Sequence, residues 1–315
     1  TDLISSLPDL SSTLNIKGLE SDVNIFRDSY GIPHIQANTV HDAFFGQAFA
    51  TAQDRLWHME YDRRRAYGQW AEAIGPKGVD QDKLMQRFRL QTVAKSDYQI
   101  LDTQTRRLLD SYTAGINAFI ETTSRLPIEF LILNLQPRPW APWDCLAVYT
   151  FRHLFMGVFQ AKMWRSKLLK HLGPEKTASL FPDYPEGHLV IIPPGNKYVS
   201  RIMPVLNSLI TGMRALDWII DDNGGSNSWA LSGTRTSSKK PLLAGDPHRP
   251  LDTPNCYYQT HVACPDFDTI GFSFPGVPGF PHFGHNAYVA WCVTHARADY
   301  QDLYVERFKE GSHNL

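Results

Sequence analysis

Two glycines stand directly before a serine in the run Asn223-Gly224-Gly225-Ser226. Glycine has no Cβ, so a strained backbone and a close approach to its carbonyl are both tolerated. The Ser226 hydroxyl could attack the Gly225 carbonyl in an N-to-O acyl shift, and hydrolysis of the ester would then cut the chain. Ser226 would gain a free α-amine, whose pKa of about 7.7–8.0 suits a general base near neutral pH.

A terminal serine of this kind supplies the nucleophilic hydroxyl and its base from one residue. The alternative interpretation of Gly-Gly-Ser-Asn is a flexible surface turn, because these residue types favour turns. A Ser-His-Asp hydrolase is a third interpretation, but the sequence has no G-x-S-x-G elbow to support it.

The secondary structure that must position Ser226 is predicted to be mainly helical before it and mainly β-strand after it. Residues 40–175 show helical periodicity, and a long helix is predicted from Asp144 to Leu172. The apolar positions that carry this periodicity are Phe44, Phe45, Ala48, Phe49, Ala52 and Leu56, and then Leu108, Leu109, Tyr112, Ile116, Phe119 and Ile120.

Short runs rich in β-branched and aromatic residues predict strands, which lie mostly after Ser226. Helices first and strands later predict an α+β fold. The predicted strands cover residues 23–27, 32–37, 228–232, 256–264, 269–274, 288–294 and 303–308.

The bulk composition excludes some partners. Lys and Arg number 31 and Asp and Glu number 32, so a net charge of -1 gives no electrostatic reason to expect nucleic acid or an anionic membrane. No run of 18 apolar residues predicts a membrane-spanning helix. The four cysteines form no CxxC pair, so they are interpreted as buried thiols, with a Cys256–Cys264 disulfide as the alternative.

A series of ordered motifs over nearly the whole chain resembles the penicillin acylase family. Motifs of the helical half are Arg27–Ile35, Phe45–Trp57, Arg63-Arg64, Gly115–Phe119 and Trp140–Asp144. Motifs of the β half are Gly225–Trp229, Asp246-Pro247-His248, Pro275-Gly276, Gly284-His285-Asn286, Ala290-Trp291 and Asp299–Asp302.

The resemblance implies a precursor that is cut into a helical α-chain and a larger β-chain beginning at Ser226. Residues 1–190 would be the α-chain, residues 191–225 the spacer, and residues 226–315 the start of the β-chain. The implied fold is the four-layer αββα sandwich of N-terminal nucleophile hydrolases. Because residues 309–315 follow the last predicted strand without a closing element, we expect the chain to be truncated at its C-terminal end.

The resemblance also assigns residues around the nucleophile. His248 lies where the family places Gln or His, and it would orient the Ser226 hydroxyl and amine; a solvated loop residue is the alternative. The backbone amide of His295 would form half of an oxyanion hole, whose second donor lies downstream of this chain. The Gly284-His285-Asn286 turn would be mainly structural. The acyl pocket would be apolar and lined by Phe155, Met156, Phe283 and Val293.

A calcium site is implied by Asp299, the Gln301 carbonyl and Asp302, since hard oxygen ligands suit Ca²⁺. The family adds an acidic ligand from the long helix, but this chain has Lys167 at the nearest position. The resemblance favours a bound structural calcium, and direct pairing of Lys167 with Asp299 or Asp302 is the alternative. No organic cofactor is expected.

The function predicted is therefore a self-processing amidohydrolase that cleaves a small N-acyl compound, such as a penicillin or cephalosporin side chain or an acyl-homoserine lactone. The alternative is a catalytically incomplete fragment or inactive homologue that acts as a folding or binding unit. The expected partners are the small-molecule substrate and, after self-cleavage, the two chains themselves, because the α-chain pairs with the β-chain. The resemblance implies a periplasmic or secreted protein. No signal peptide is visible in the sequence, which starts at Thr1, and a cytoplasmic protein is the alternative.

Overall fold

The computed structural model describes residues 3–154, 156, 158–180, 207, 209–211, 225–249, 251–296 and 298–302. Within these ranges eight α-helices precede most of the strands, which confirms the predicted α+β class. The predicted spacer, residues 191–225, falls outside the described residues except at 207, 209–211 and 225, and the predicted strand at 303–308 lies outside them entirely.

The α-helices with described bounds lie between residues 40 and 180, and residues 207 and 209–211 are also helical. The described strands fall into an early pair and a later set. The helices are α1 Val40–Ala66, α2 Ala71–Ile74, α3 Val79–Phe88, α4 Leu90–Ile100, α5 Thr103–Thr122, α6 Ile128–Ile132, α7 Pro142–Leu154 and α8 Phe159–Leu180. The strands are β1 Asn24–Arg27, β2 Pro33–Gln36, β3 Gly225–Leu231, β4 Leu242–His248, β5 Tyr258–Cys264, β6 Phe267–Ser273, β7 Phe283–His285 and β8 Ala290–Cys292.

Helix α1 is the central helix of the N-terminal half. The Thr39 hydroxyl caps it by accepting a hydrogen bond from the Asp42 amide at 3.1 Å. The apolar stripes predicted for 44–56 and 108–120 face each other and form one core, which confirms both helical predictions. Its members from these stripes are Phe45, Ala48, Phe49, Ala52, Leu56, Leu109, Tyr112, Ile116 and Phe119.

Helices α1 and α5 cross at Gly115, where no side chain fits. A Cβ built on Gly115 would lie 2.1 Å from the Phe45 carbonyl oxygen and 3.0 Å from the Ala48 Cβ. Because the first of these neighbours is backbone of α1, relief would require the two helices to move apart. The glycine therefore sets the closest approach of the two main core helices.

Charged residues on the last turns of α1 are buried and paired. The Glu60 carboxylate accepts hydrogen bonds from Arg63 and from Arg64 Nε, the latter at 2.7 Å. Arg63 also donates to Asp144 of α7 at 3.0 Å and to the carbonyls of residues 138 and 139 at 2.9 Å. This network fixes the N-terminal end of α7 against α1.

A second buried contact joins α7 to α1 further along. Arg152 Nε donates to Asp62 at 2.7 Å, and Arg152 Nη2 lies 2.7 Å from His58 Nε2. Burial lowers the pKa of His58 to about 4, because the lost hydration of the imidazolium outweighs the attraction of Asp62. Arg152, Arg55 and Arg65 lower that pKa further. His58 is therefore neutral in the folded protein at pH 7.

The single helix predicted from Asp144 to Leu172 is wrong, because two helices occupy this range. Helix α7 ends at Leu154 and α8 begins at Phe159, and α8 continues to Leu180 through a kink at Gly173, where φ is 78° and ψ is 172°. The sequence between the helices holds Gly157, and glycine costs about 1 kcal/mol relative to alanine inside a helix.

Strands from both sides of Ser226 share one sheet. The six-stranded sheet has the order β1-β2-β5-β6-β7-β8, in which β2 pairs parallel with β5, with Ile35 opposite Val262. The other neighbours are antiparallel. Helix α1 packs on this sheet through Ala43 and Ala50, which share a core cluster with Ile35 and Val262.

Strands β3 and β4 form a separate antiparallel pair that approaches the larger sheet. A Cβ on Gly245 of β4 would lie 2.7 Å from the Cys292 Cβ of β8 and 2.9 Å from the Phe283 ring of β7. The two sheets therefore face each other with helices behind the larger one. The strand predicted at 228–232 begins earlier, at Gly225, and β4 and β7 were not predicted because Gly and Pro interrupt their sequences.

Two further predictions concern membranes and cysteines. Among the described residues no helix has the length and apolar character needed to cross a bilayer. All four cysteines are free thiols. Cys256 contacts the core of α1 and α5, whereas Cys264 belongs to the cluster beneath the six-stranded sheet. The Cys256–Cys264 disulfide is therefore absent, and both residues act as small apolar side chains.

Candidate active site

Ser226 is the second residue of strand β3, and Gly225 is the first. In the antiparallel ladder Gly225 lies opposite His248 and Ser226 lies opposite Pro247. The bond between Gly225 and Ser226 therefore lies at the end of the two-stranded sheet, where β3 begins and β4 ends. The structure thus brings the predicted nucleophile, the residue before it and His248 together.

The backbone amide of His295 donates a hydrogen bond to Ser226 Oγ at 2.9 Å. His295 follows β8 in the chain, so this contact joins the small sheet to the segment after the large one. The donor is the backbone amide, the group that the resemblance assigned to half of the oxyanion hole. A backbone donor held next to the nucleophile is the kind of group that stabilises an oxyanion.

The His248 side chain lies beside Gly225. Its Nε2 is 3.1 Å from Asp246 Oδ2 and 3.3 Å from Asn227 Nδ2, and the side chain is 42% exposed. A Cβ on Gly225 would lie 3.2 Å from His248 Nδ1, which is closer than ordinary contact. The glycine before the nucleophile therefore makes room for the imidazole next to the peptide bond proposed for cleavage.

A cavity of about 510 Å³ opens between the two sheets next to the nucleophile. Pro247, the partner of Ser226 in the ladder, is on its wall, and so is Phe283, one of the predicted pocket residues. The rest of its wall is mostly apolar and aromatic, including Leu243, Tyr257, Ile270, Phe272 and Trp291. An apolar group of moderate size fits such a lining.

The other predicted pocket residues are placed differently. Met156 lies after α7, where its Sδ accepts a hydrogen bond from Arg249 at 3.6 Å. Val293 is 43% exposed and is not on the cavity wall. Phe155 falls outside the described residues. The structure therefore associates Phe283 with the cavity and Met156 with the residue after His248.

Sequence reasoning missed a group of polar and aromatic side chains near Met156. His153 and His282 are stacked with their Nε2 atoms 3.1 Å apart, and Phe274 and Tyr257 pack around them. Burial, reinforced by the neighbouring His153 and Arg249, lowers the pKa of His282 to about 4. In the sequence, only Arg249, which directly follows His248, points to this group. His153, His282, Phe274 and Tyr257 are separated along the chain and meet through tertiary contacts.

The turn after Gly284 and His285 is closed by the Asn286 side chain. Asn286 Oδ1 accepts hydrogen bonds from the amides of Tyr288 and Val289, both at 2.8 Å. These bonds close the turn between β7 and β8. The Asn286 side chain is therefore engaged within its own turn.

The predicted calcium ligands surround a lysine. Lys162 Nζ lies 2.5 Å from the Gln301 carbonyl oxygen, 2.7 Å from Asp299 Oδ1 and 3.2 Å from Asp302 Oδ1. The family resemblance pointed to Lys167 at this place, but Lys162 of the same helix lies there. The Lys167 ammonium lies 5.5 Å from the centre of the Trp164 ring.

These residues do not fit a calcium ion as arranged. Calcium needs six to eight oxygen ligands at about 2.3–2.6 Å, whereas an ammonium group already contacts all three predicted oxygens. Within the described ranges no three His, Cys, Asp or Glu side chains converge as a metal-binding group. Partial burial favours the neutral amine, but the two carboxylates outweigh it and raise the pKa of Lys162 above its usual value.

Comparison with known proteins identifies the family. Residues 22–314 match the sequence model described as penicillin amidase, so the chain belongs to the penicillin amidase family. Membership confirms the N-terminal nucleophile hydrolase fold that the resemblance implied, and the helices, large sheet and β3–β4 pair supply its mixed α+β architecture.

Several curated relatives match over almost the whole chain. The penicillin acylase 2 proenzyme of Pseudomonas sp. (strain SE83) is 41% identical over 314 residues, which cover 98% of this chain and 40% of the relative. The acyl-homoserine lactone acylase QuiP of Pseudomonas aeruginosa is 29% identical over 98% of this chain and 37% of the relative. The chain thus spans about 40% of the length of the relatives it matches.

A solved structure also matches. It is a thermostable penicillin G acylase from Alcaligenes faecalis in tetragonal form, 26% identical, with a TM-score of 0.44. The match covers 55% of this chain and 98% of that chain.

Proposed function

We propose that the full-length protein is a self-processing hydrolase that cleaves the amide bond of a small N-acyl compound through an N-terminal Ser226. The observation that carries the proposal is the 2.9 Å hydrogen bond from the His295 amide to Ser226 Oγ, at the start of strand β3, where Ser226 directly follows Gly225. The family membership and the names of the relatives, which are penicillin and acyl-homoserine lactone acylases, support the same reaction class.

The proposed cleavage uses Ser226 and Gly225 alone as reacting groups. Ser226 Oγ bonds to the Gly225 carbonyl carbon and gives up its proton, the C–N bond between the two residues breaks, and the nitrogen takes that proton to become the free α-amine. Water then hydrolyses the ester, which leaves a carboxylate on Gly225 and restores the hydroxyl. His248, beside Gly225, is proposed to orient these groups, and the space left by the missing Cβ allows it to do so.

Turnover would repeat this chemistry on a substrate. The α-amine of Ser226 takes the hydroxyl proton, Oγ attacks the substrate carbonyl, and the proton passes to the leaving amine. Water then releases the acyl group as a carboxylic acid. The His295 amide would donate to the oxyanion, and one such donor is worth about 2.7–4 kcal/mol in comparable sites.

The acyl group is proposed to be apolar, because the cavity next to Pro247 has a mostly aliphatic and aromatic lining. Acyl chains of penicillin side chains or of homoserine lactones both meet this description. A panel of N-acyl compounds that share one amine and differ in acyl length would identify the preferred class. Phe283→Ala should widen the cavity and shift the preference towards larger acyl groups.

The decisive experiment compares full-length wild-type precursor with Ser226→Ala and Ser228→Ala. Ser228 lies on the same strand and serves as the matched control. Wild-type protein and Ser228→Ala should yield a chain whose N-terminal sequence begins Ser-Asn-Ser-Trp, and both should hydrolyse the panel. Ser226→Ala should remain one uncut chain without activity. An uncut wild-type precursor with full activity would refute self-processing, and activity in Ser226→Ala would refute the nucleophile.

A further inference from the structure

The ammonium group of Lys162 is held by three oxygens from one short segment. These are one carboxylate oxygen each from Asp299 and Asp302 and the carbonyl oxygen of Gln301, at 2.5–3.2 Å. A lysine ammonium has three N–H donors and no acceptor, so three oxygens satisfy it. The segment therefore behaves as a cation-binding loop whose cation is a side chain from α8.

The same segment is attached to α7 by a second contact. The Gln301 side-chain amide donates to the Leu154 carbonyl at 2.8 Å, at the last residue of α7. His295, whose amide reaches Ser226, lies a few residues before Asp299 in the same segment. Contacts of residue 301 with α7 and α8 thus restrain the backbone that presents the His295 amide.

We propose that Lys162 is the built-in cation of this site and takes the place that the family resemblance gave to calcium. A divalent cation and the ammonium cannot both be bound by the same three oxygens, because they would repel each other at short range. The proposal concerns the fold of the segment and does not depend on catalytic activity. Lys162 is accordingly a positioning residue for the segment that begins at His295.

The proposal predicts that the stability of this protein is independent of calcium. Full-length protein, purified and dialysed against chelator, should contain no stoichiometric calcium by elemental analysis. Its melting temperature should be the same in excess chelator and in millimolar calcium. Stoichiometric bound calcium, or a melting temperature that falls in chelator, would overturn the proposal.

Variants test the assignment to Lys162 itself. Lys162→Met keeps most of the length of the side chain but removes the charge. The melting temperature should fall by at most about 2 °C, as expected for a partly exposed ion-pair network in a large protein. Calcium should restore part of this loss, because the Lys162 ammonium no longer competes for these oxygens. Lys167→Met is the matched control on the same helix and should show neither effect.

A third variant, Lys162→Glu, tests the same assignment if Lys162→Met does not fold. Lys162→Glu places three carboxylates together, so its folding should require calcium, and bound calcium should be measurable by titration calorimetry. Calcium-independent folding of Lys162→Glu at wild-type stability would count against the proposal. An equal loss of stability in Lys167→Met would also contradict it, since the ammonium at the site would then not be that of Lys162.

Discussion

Glu60 offers a sharp test of the buried charge network that joins α1 to α7. Its side chain is 1% exposed and accepts hydrogen bonds from Arg63 and Arg64. Glu60→Gln preserves the shape of the side chain but removes its negative charge. Two guanidinium groups that are 6% and 3% exposed then lose their shared counter-charge.

The loss of stability in Glu60→Gln depends on the acidic partners that Arg63 and Arg64 keep. Breaking a buried ion pair from one side costs about 3–5 kcal/mol, because the other charge is left without compensation. Arg63 keeps Asp144 at 3.0 Å and Arg64 keeps Glu72 at 3.0 Å, so we expect the lower end, about 3 kcal/mol. Glu72→Gln is the matched control, since that side chain is 46% exposed and should cost at most about 1 kcal/mol.

The assay is urea unfolding followed by fluorescence, with each variant built on Ser226→Ala so that the chain stays uncut. The free energy of unfolding is obtained by linear extrapolation, and an unchanged slope shows that the unfolded state is not altered. Glu60→Gln should lower the midpoint clearly more than Glu72→Gln does. Equal losses in the two variants would refute the claim that burial, and not proximity to arginine, makes the Glu60 carboxylate important.

Three other predictions follow from the structure. His248→Ala should keep the fold and lower the rate of precursor cleavage by about 10²- to 10⁴-fold on a denaturing gel, with His285→Ala as the control that should cleave normally. The pKa of His58 is about 4 in the folded state and 6.5 in the unfolded state, so between these pH values the unfolded chain binds more protons than the folded one. The urea midpoint should therefore fall as the pH is lowered from 6.5 to 4. The fall should be less steep in His58→Gln, which lacks the imidazole. Gly115→Ala should destabilise the folded protein, because the added Cβ would overlap the Phe45 carbonyl. This loss should exceed the gain of about 1 kcal/mol that alanine brings to a helix relative to glycine. A raised midpoint of thermal unfolding would contradict this packing.

Much of the fold could be predicted, because the spacing of apolar residues along the chain indicates its helices and several of its strands. The stripes on α1 and α5 repeat at helical spacing and are buried where the pattern placed them. The change from helices to strands near Ser226 was visible in composition. Strands β4 and β7 were not, since Gly245, Pro247 and Gly284 resemble turn residues, and these strands are specified by their pairing partners.

The candidate site shows the same division. Gly225, Ser226 and His248 could be proposed from their motifs, and the structure places them together. The resemblance assigned the lysine at the Asp299 site to Lys167, whereas the structure places Lys162 there. Which residue of α8 meets a segment far later in the chain depends on tertiary packing, which no short sequence window contains.

The parallel pairing of β2 with β5 has a consequence for the order of events during synthesis. His34 to Gln36 leave the ribosome early, yet their partners His261 to Ala263 are made only after Ser226. The early hairpin must therefore wait with one edge open until the later strands arrive. Since the His295 amide that contacts Ser226 comes later still, the proposed cut would have to wait for the sheet. Self-cleavage would then act as a checkpoint, severing only those chains whose distant strands have already found each other.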